Sequence, residues 1–401
     1  MSPATRREFL VGSAASALTL PGATVSAAEE PAGKRVLTPA NQFQDVSRGT
    51  PVPHTLRGDA LHSARLTPES WRLEIVGDGG AKVPKPLTIE NGLALDFRQL
   101  QRLGEARGIR FIKAVQCLNI EYPLGQGLWE GVPLRDIVRL TGAFSNVRRV
   151  SYSGYHNNAP SQIFQSSLNL SDVLEAPPGN LPPLVVYRLN GQPIPLERGG
   201  PVRMLIPWAH GFKSIKWLQQ IVLTNEFRAN DTYADANNDP ESHLKTAAYM
   251  DESPTRFANS QDITLTGAVI SGVSGLSKVE YWLRKVGPQS EKVSYTSKEW
   301  QEAPWMRCTV DAQPPDWHSQ LPSDTPPATI WGIDPNTLRA NEWPMRYTMA
   351  GWVAVLGRLP RGTYEFRARA VDRNGCAQPE PRPDRQTGLN PVQEHRFDVT
   401  A

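Results

Sequence analysis

At 401 residues the chain is too long for one ordinary hydrophobic core, so two domains are expected. With 36 prolines and 31 glycines it favours strands and loops over long helices. A formal net charge of only +3 gives no electrostatic basis for a general nucleic-acid role.

The chain opens on Thr5-Arg6-Arg7-Glu8-Phe9-Leu10, followed by an apolar, small-residue run over 11–25 that ends in Val25-Ser26-Ala27. A charged start, an apolar middle and a small-residue cleavage site describe a signal peptide over residues 1–28. The arginine pair followed by Phe-Leu matches a twin-arginine signal, a receptor-read address. A retained anchor is the competing reading, because the run is barely long enough to span a bilayer. Twin-arginine export carries proteins that fold first, often around a cofactor, so the expected location is the periplasm. No later stretch approaches the roughly 20 apolar residues of a membrane span.

Residues 30–65 are polar, proline-punctuated and irregular. Alternation over 71–75 predicts a strand that turns at Gly77-Asp78-Gly79-Gly80. Residues 95–108 read as a short amphipathic helix, and 110–116 as a strand that delivers Cys117 at its end. Residues 132–140 read as another short helix closed by Gly142, and 184–224 mix strands with Pro and Gly turns. A polar connection follows over 228–260. Strands then recur at 262–267, 277–283, 352–356 and 362–370, the pattern of a β-sandwich of roughly immunoglobulin size.

None of the seven histidines forms an H-E-x-x-H pair, and there is no C-x-x-C, nucleophile elbow, P-loop or dinucleotide fingerprint. The segment 198–224 holds Arg198, Arg203, Lys213 and Lys216 with no carboxylate. Glycine and proline turns among its apolar strands allow these cations to converge on a buried phosphate or pyrophosphate. Ordinary surface cations on a strand pair are the alternative. Cys117 is either a small buried hydrophobe or a soft thiolate ligand for a transition metal, with a cofactor supplying the other ligands. Cys308 and Cys376 lie in the same region, and whether they pair is left open. Tyr155-His156-Asn157-Asn158 and Tyr233 are candidates for lining a pocket, against a reading as ordinary loop residues. His210 beside the basic segment is a stronger candidate.

Asn190-Gly191-Gln192-Pro193-Ile194-Pro195, Gly199-Gly200-Pro201-Val202-Arg203, Pro207, Gly211 and Lys216-Trp217-Leu218 resemble the pterin-binding run of the sulfite oxidase family. The segment 112–117 with Trp129-Glu130-Gly131-Val132-Pro133-Leu134 is similar to that family's cysteine loop and its sequel. The C-terminal strands, with Arg367-Ala368-Arg369-Ala370 and Glu299-Trp300, resemble its immunoglobulin-like dimerisation domain. The resemblance implies an α+β fold: a mixed α/β molybdopterin domain over 29–240, then an immunoglobulin-like β-sandwich over 250–401. It implies that Cys117 binds the molybdenum of a molybdopterin cofactor, with Arg57, Arg198, Arg203, His210, Lys213, Ser214 and Lys216 around the pterin. Tyr233 is a further candidate for the catalytic site beside Cys117. The implied activity moves an oxygen atom between water and a small substrate. Electrons then pass to a separate carrier such as a c-type cytochrome, since no haem-attachment C-x-x-C-H is present. A homodimer through the sandwich is also implied.

The chain departs from the family after the cysteine, where Leu118-Asn119-Ile120-Glu121-Tyr122-Pro123 replaces a cationic segment. An ionised Glu121 facing the pocket would repel sulfite. Two rival readings follow: an S-oxide or N-oxide reductase on the same fold, and a non-catalytic binding relative.

Overall fold

The computed structural model describes residues 36–117, 120–229, 241–287, 290, 293–378 and 391–401. The expected signal peptide, Leu118, Asn119 and Tyr233 lie outside the described residues. Two five-stranded sheets make up the first part. Strand Arg72–Asp78 buries Leu73 and Ile75 on one face, as its alternation requires. It lies between the short strand Leu95–Asp96 and Leu218–Thr224, beyond which come Arg149–Gly154 and Gln165–Asn169. Its pairing with Leu218–Thr224 is parallel.

Helix Phe97–Arg107 packs on this core through Phe97 and Leu100. Asp96 starts it with a reciprocal cap, accepting from Gln99 N at 2.7 Å while its own N donates to Gln99 Oε1 at 2.8 Å. The helix predicted over 132–140 is shorter in the structure. Val132 and Pro133 end strand Gly125–Pro133, and only Leu134–Val138 is α-helical before a 3-10 turn.

The second sheet runs Ile109–Val115, Gly125–Pro133, Leu184–Leu189 and Gln192–Pro193, with Arg203–Leu205 also paired to Leu184–Leu189. Phe111 sits opposite Trp129, and Trp129 opposite Leu189. All three are buried in one cluster that also takes Leu244, Tyr249 and Tyr347 from later in the chain. The antiparallel hairpin of Ile109–Val115 and Gly125–Pro133 closes through Leu124 N donating to Val115 O at 2.8 Å. Its turn carries Cys117.

The C-terminal part is a sandwich of two sheets. One is ordered Ala247–Met250, Ile263–Ile270, Met349–Gly357, Thr309–Val310. The other runs Arg256–Ala258, Glu394–Thr400, Gly362–Asp372, Leu276–Val286, Met306–Arg307. Their inner faces share a core that includes Leu265, Val269, Trp352, Phe366 and Phe397. On the outer face Glu365 accepts from Arg284, Arg367 and Arg396, and Arg367 lies over the rings of Trp282 and Trp300. Cys308 is buried and Cys376 exposed, and both are free thiols, which answers the pairing question. No helix among the described residues is long and apolar enough to cross a membrane.

Candidate active site

A cavity of about 260 Å³ opens between the two N-terminal sheets. Cys117, at the end of its strand, lines it together with Val115 and Trp129 from the same hairpin. The opposite wall comes from Gly154 and Tyr155, where strand Arg149–Gly154 ends, and from Ile215, Lys216 and Trp217. A third wall comes from Phe43, Gln44, Val46, Ser47, Arg48 and Gly49 of the irregular N-terminal stretch.

Hydrogen bonds tie these pieces together. Gly211 N donates to Gln116 O at 2.6 Å, joining the cysteine turn to the basic loop. Tyr155 N donates to Trp217 O at 2.9 Å, joining the two sheet ends. Gly199 has φ +94°, and a Cβ there would lie 2.8 Å from Lys216 Cβ, so glycine lets the lysine pack against this turn.

Four cations line the cavity, Arg48, Arg198, Arg203 and Lys216, and no aspartate or glutamate is among the described lining residues. They play different parts. The Arg203 guanidinium is buried and braces the loop, donating to Arg198 O at 2.7 Å and Ser214 O at 2.6 Å. Its Nε is buried with no hydrogen-bond partner. Lys216 Nζ donates to Asp45 Oδ1 at 2.9 Å, Ser47 Oγ at 2.6 Å and Glu197 O at 2.6 Å. Arg198 is only 9% exposed, and its guanidinium makes no hydrogen bond or ion pair among the described residues. A guanidinium that faces the cavity without a protein acceptor is suited to meeting an anion there.

The electrostatics agree. Burial, with the Arg198 charge beside it, pulls Arg203 down to about 10. Burial and the Arg203 charge pull Lys216 down to about 8, with Asp45 opposing. Burial works against the Asp45 carboxylate, yet the Ser47 hydroxyl and the Lys216 ammonium bring it down to about 2. Crowded, desolvated cations of this kind are relieved by a bound anion.

Lys113, within strand Ile109–Val115, is fully buried beneath this cluster. Burial first, and then the Arg203 charge, lower it to about 7. Its Nζ donates to Pro207 O at 2.7 Å and Ala209 O at 3.3 Å. A neutral amine has two N–H groups, and two carbonyls receive them.

The remaining expected residues are distributed unevenly. Ser214 lines the cavity, and its Oγ accepts from Ile206 N at 3.1 Å. His210 and Lys213 are buried beside it without lining it, and Lys213 Nζ donates to Ser167 O at 2.7 Å. Arg57 is exposed and does not line this cavity; it donates to His54 O and Leu56 O. Tyr155, His156 and Asn157 do line the cavity, against their reading as ordinary loop residues. Glu121 is exposed and lines no part of it, so the condition under which it would repel sulfite is not met in this cavity. Among the described residues no three His, Cys, Asp or Glu side chains gather as a metal site, so Cys117 would need a cofactor to complete a coordination shell.

Comparison with known proteins adds three findings. Residues 60–232 match the family described as oxidoreductase molybdopterin binding domain. Mitochondrial sulfite oxidase of Drosophila melanogaster is 27% identical over 211 residues, which cover 51% of this chain and 34% of that protein. NADPH nitrate reductase of Fusarium oxysporum is 32% identical over 103 residues, covering 26% of this chain and 11% of that protein. The chain thus spans about a third or less of the length of these curated relatives. The crystal structure of the sulfane dehydrogenase SoxCD from Paracoccus pantotrophus superposes with a TM-score of 0.56 at 15% identity. That match covers 87% of this chain and 85% of the other, and at this identity it shows a likeness of fold.

Proposed function

Since the chain belongs to the sulfite oxidase family of molybdopterin-dependent oxidoreductases, we propose that it is an exported enzyme that moves an oxygen atom between water and a small sulfur-containing anion. One observation carries the reading: Cys117 and the partnerless, buried Arg198 face the same cavity, which has no carboxylate in its described wall. The donor set fits the cofactor. A single thiolate leaves coordination positions for a dithiolene, and Arg198, with the bare Nε of Arg203, suits an anionic phosphate.

When bound, the molybdenum cofactor supplies a redox centre able to exchange an oxygen atom and two electrons with substrate. The chain's own residues do the rest. Cys117 would hold the metal and Arg198 would meet the phosphate, while Arg203 fixes the loop that presents both Arg198 and Ser214. Trp129, Phe212 and Trp217 exclude water from the cavity wall. His156 also lines the cavity, with its Nδ1 3.2 Å from Gly154 O. Arg48, in a wall with no carboxylate among its described lining residues, favours an anionic substrate. The names of two similar proteins, a sulfite oxidase and a sulfane dehydrogenase, point the same way.

A separate carrier, such as a c-type cytochrome, takes the electrons. The C-terminal sandwich serves as an immunoglobulin-like dimerisation module, and the twin-arginine leader sends the folded chain to the periplasm. The nitrate reductase similarity favours testing the reverse direction, reduction of an S-oxide or N-oxide, alongside. The test is steady-state turnover of the holoprotein on sulfur anions with an artificial electron acceptor, and on oxides with an artificial donor. Turnover with the acceptor alone is expected. Turnover only with the donor would reverse the direction, and none with either would refute an oxygen-transfer role.

A further inference from the structure

Cys117 stands on a turn, and a thiolate on a turn is held in place only as well as the turn is anchored. Buried Gln116 provides one anchor. Its Nε2 donates to Cys117 O at 3.1 Å and Ile120 O at 2.5 Å, while its own carbonyl accepts from Gly211 N. The outer side of the turn is fastened to the C-terminal sandwich. Gln393 bridges the two parts, with Nε2 donating to Glu121 O at 2.9 Å and Oε1 accepting from Met250 N at 2.6 Å. One residue further, the Tyr122 hydroxyl donates to Asp251 Oδ1 at 2.8 Å. Asp251 is steadied in turn by Thr266 Oγ1, which donates to its Oδ2 at 2.7 Å. The Tyr122 ring meets Tyr249 edge-on at 6.2 Å. Two consecutive residues of the cysteine turn are therefore tied to two consecutive residues of the sandwich.

We propose that Gln393 and Tyr122 are positioning residues for Cys117, through which the C-terminal sandwich sets the place of the thiolate in the cavity. The proposal rests on the reading of Cys117 as the metal ligand, and it gives the second part of the chain a role in the site itself. Gln393 precedes strand Glu394–Thr400, and Met250 ends strand Ala247–Met250, so both anchors come from sheet ends. Side chains held at the ends of regular elements are better placed than those of free loops.

The three cysteines supply their own controls. Cys117 is half-buried on the turn, Cys308 is buried in the sandwich core, and Cys376 is exposed. The experiment is iodoacetamide labelling of the full chain made without molybdate, with each cysteine followed by mass spectrometry. In the Gln393→Met, Tyr122→Phe double variant, Cys117 is expected to react about fivefold faster or more than in the wild type. Cys376 should be unchanged and Cys308 should stay unlabelled, with each single variant intermediate for Cys117. A Cys117 rate within about twofold of wild type, with Cys308 still protected, would overturn the proposal. If Cys308 also becomes reactive, the double variant has opened the sandwich, and Gln393→Met alone decides by the same criterion. Labelling needs no metal, so failure here is distinct from failure of Cys117 to bind molybdenum.

Discussion

Lys216 Nζ lies 2.9 Å from Asp45 Oδ1, joining the cation-rich loop to the N-terminal wall of the cavity. With Ser47 Oγ and Glu197 O also accepting from it, all three N–H groups of the ammonium are in use. A phosphate reaching Lys216 must therefore displace one of these partners, and Asp45 is the partner with competing charge. Asp45→Asn should tighten inorganic pyrophosphate binding by about fivefold or more at pH 6.5, read by calorimetry at low salt. Unchanged or weaker binding would show that Asp45 does not compete with the anion.

The two arginines of the site should separate in their effects. Arg198→Ala removes a guanidinium with no partner among the described residues, so it should lower pyrophosphate affinity about tenfold or more and leave the melting temperature nearly unchanged. Arg203→Lys strips donors from the buried carbonyls of Arg198 and Ser214, and should destabilise the fold by about 2 kcal/mol in urea unfolding. The reverse pattern would exchange the assigned roles.

Lys113 gives a pH signature. Its ordinary value of 10.5 applies when unfolded, and about 7 when folded. Between those values the unfolded chain binds more protons, so stability rises with pH across the window. Below about 7 the cost of burying the residue is fully present, and above 10.5 it is gone. Thermal unfolding from pH 7 to 9 should show a rise in midpoint for the wild type and a smaller rise for Lys113→Met. Equal slopes in the two proteins would mean that Lys113 does not titrate there.

Much of the framework was legible because local pattern and tertiary environment agree. Alternation at 71–75 and the amphipathic run 95–108 placed the first strand and helix, and the run 198–216 announced its cations by composition alone. Strand Gly125–Pro133 was not read as one, since its three glycines interrupt any period-two pattern and its residues are buried on both faces. Asp45, Ser47 and Arg48 were missed because an irregular, polar stretch carries no periodicity, and only the fold brings it against Lys216. Lys113 did leave a signal: a lone lysine inside Phe111-Ile112-Lys113-Ala114-Val115 breaks the apolar pattern of a buried strand.

The most direct test of the whole account is molybdenum and pterin content of the full chain from a cofactor-competent host, set beside Cys117→Ser with X-ray absorption at the molybdenum edge. The account predicts near-stoichiometric molybdenum with pterin in the wild type, and a sulfur shell one scatterer smaller in the variant. Wild-type protein without molybdenum, or an identical sulfur shell in both proteins, would contradict the assignment of Cys117 as the metal ligand.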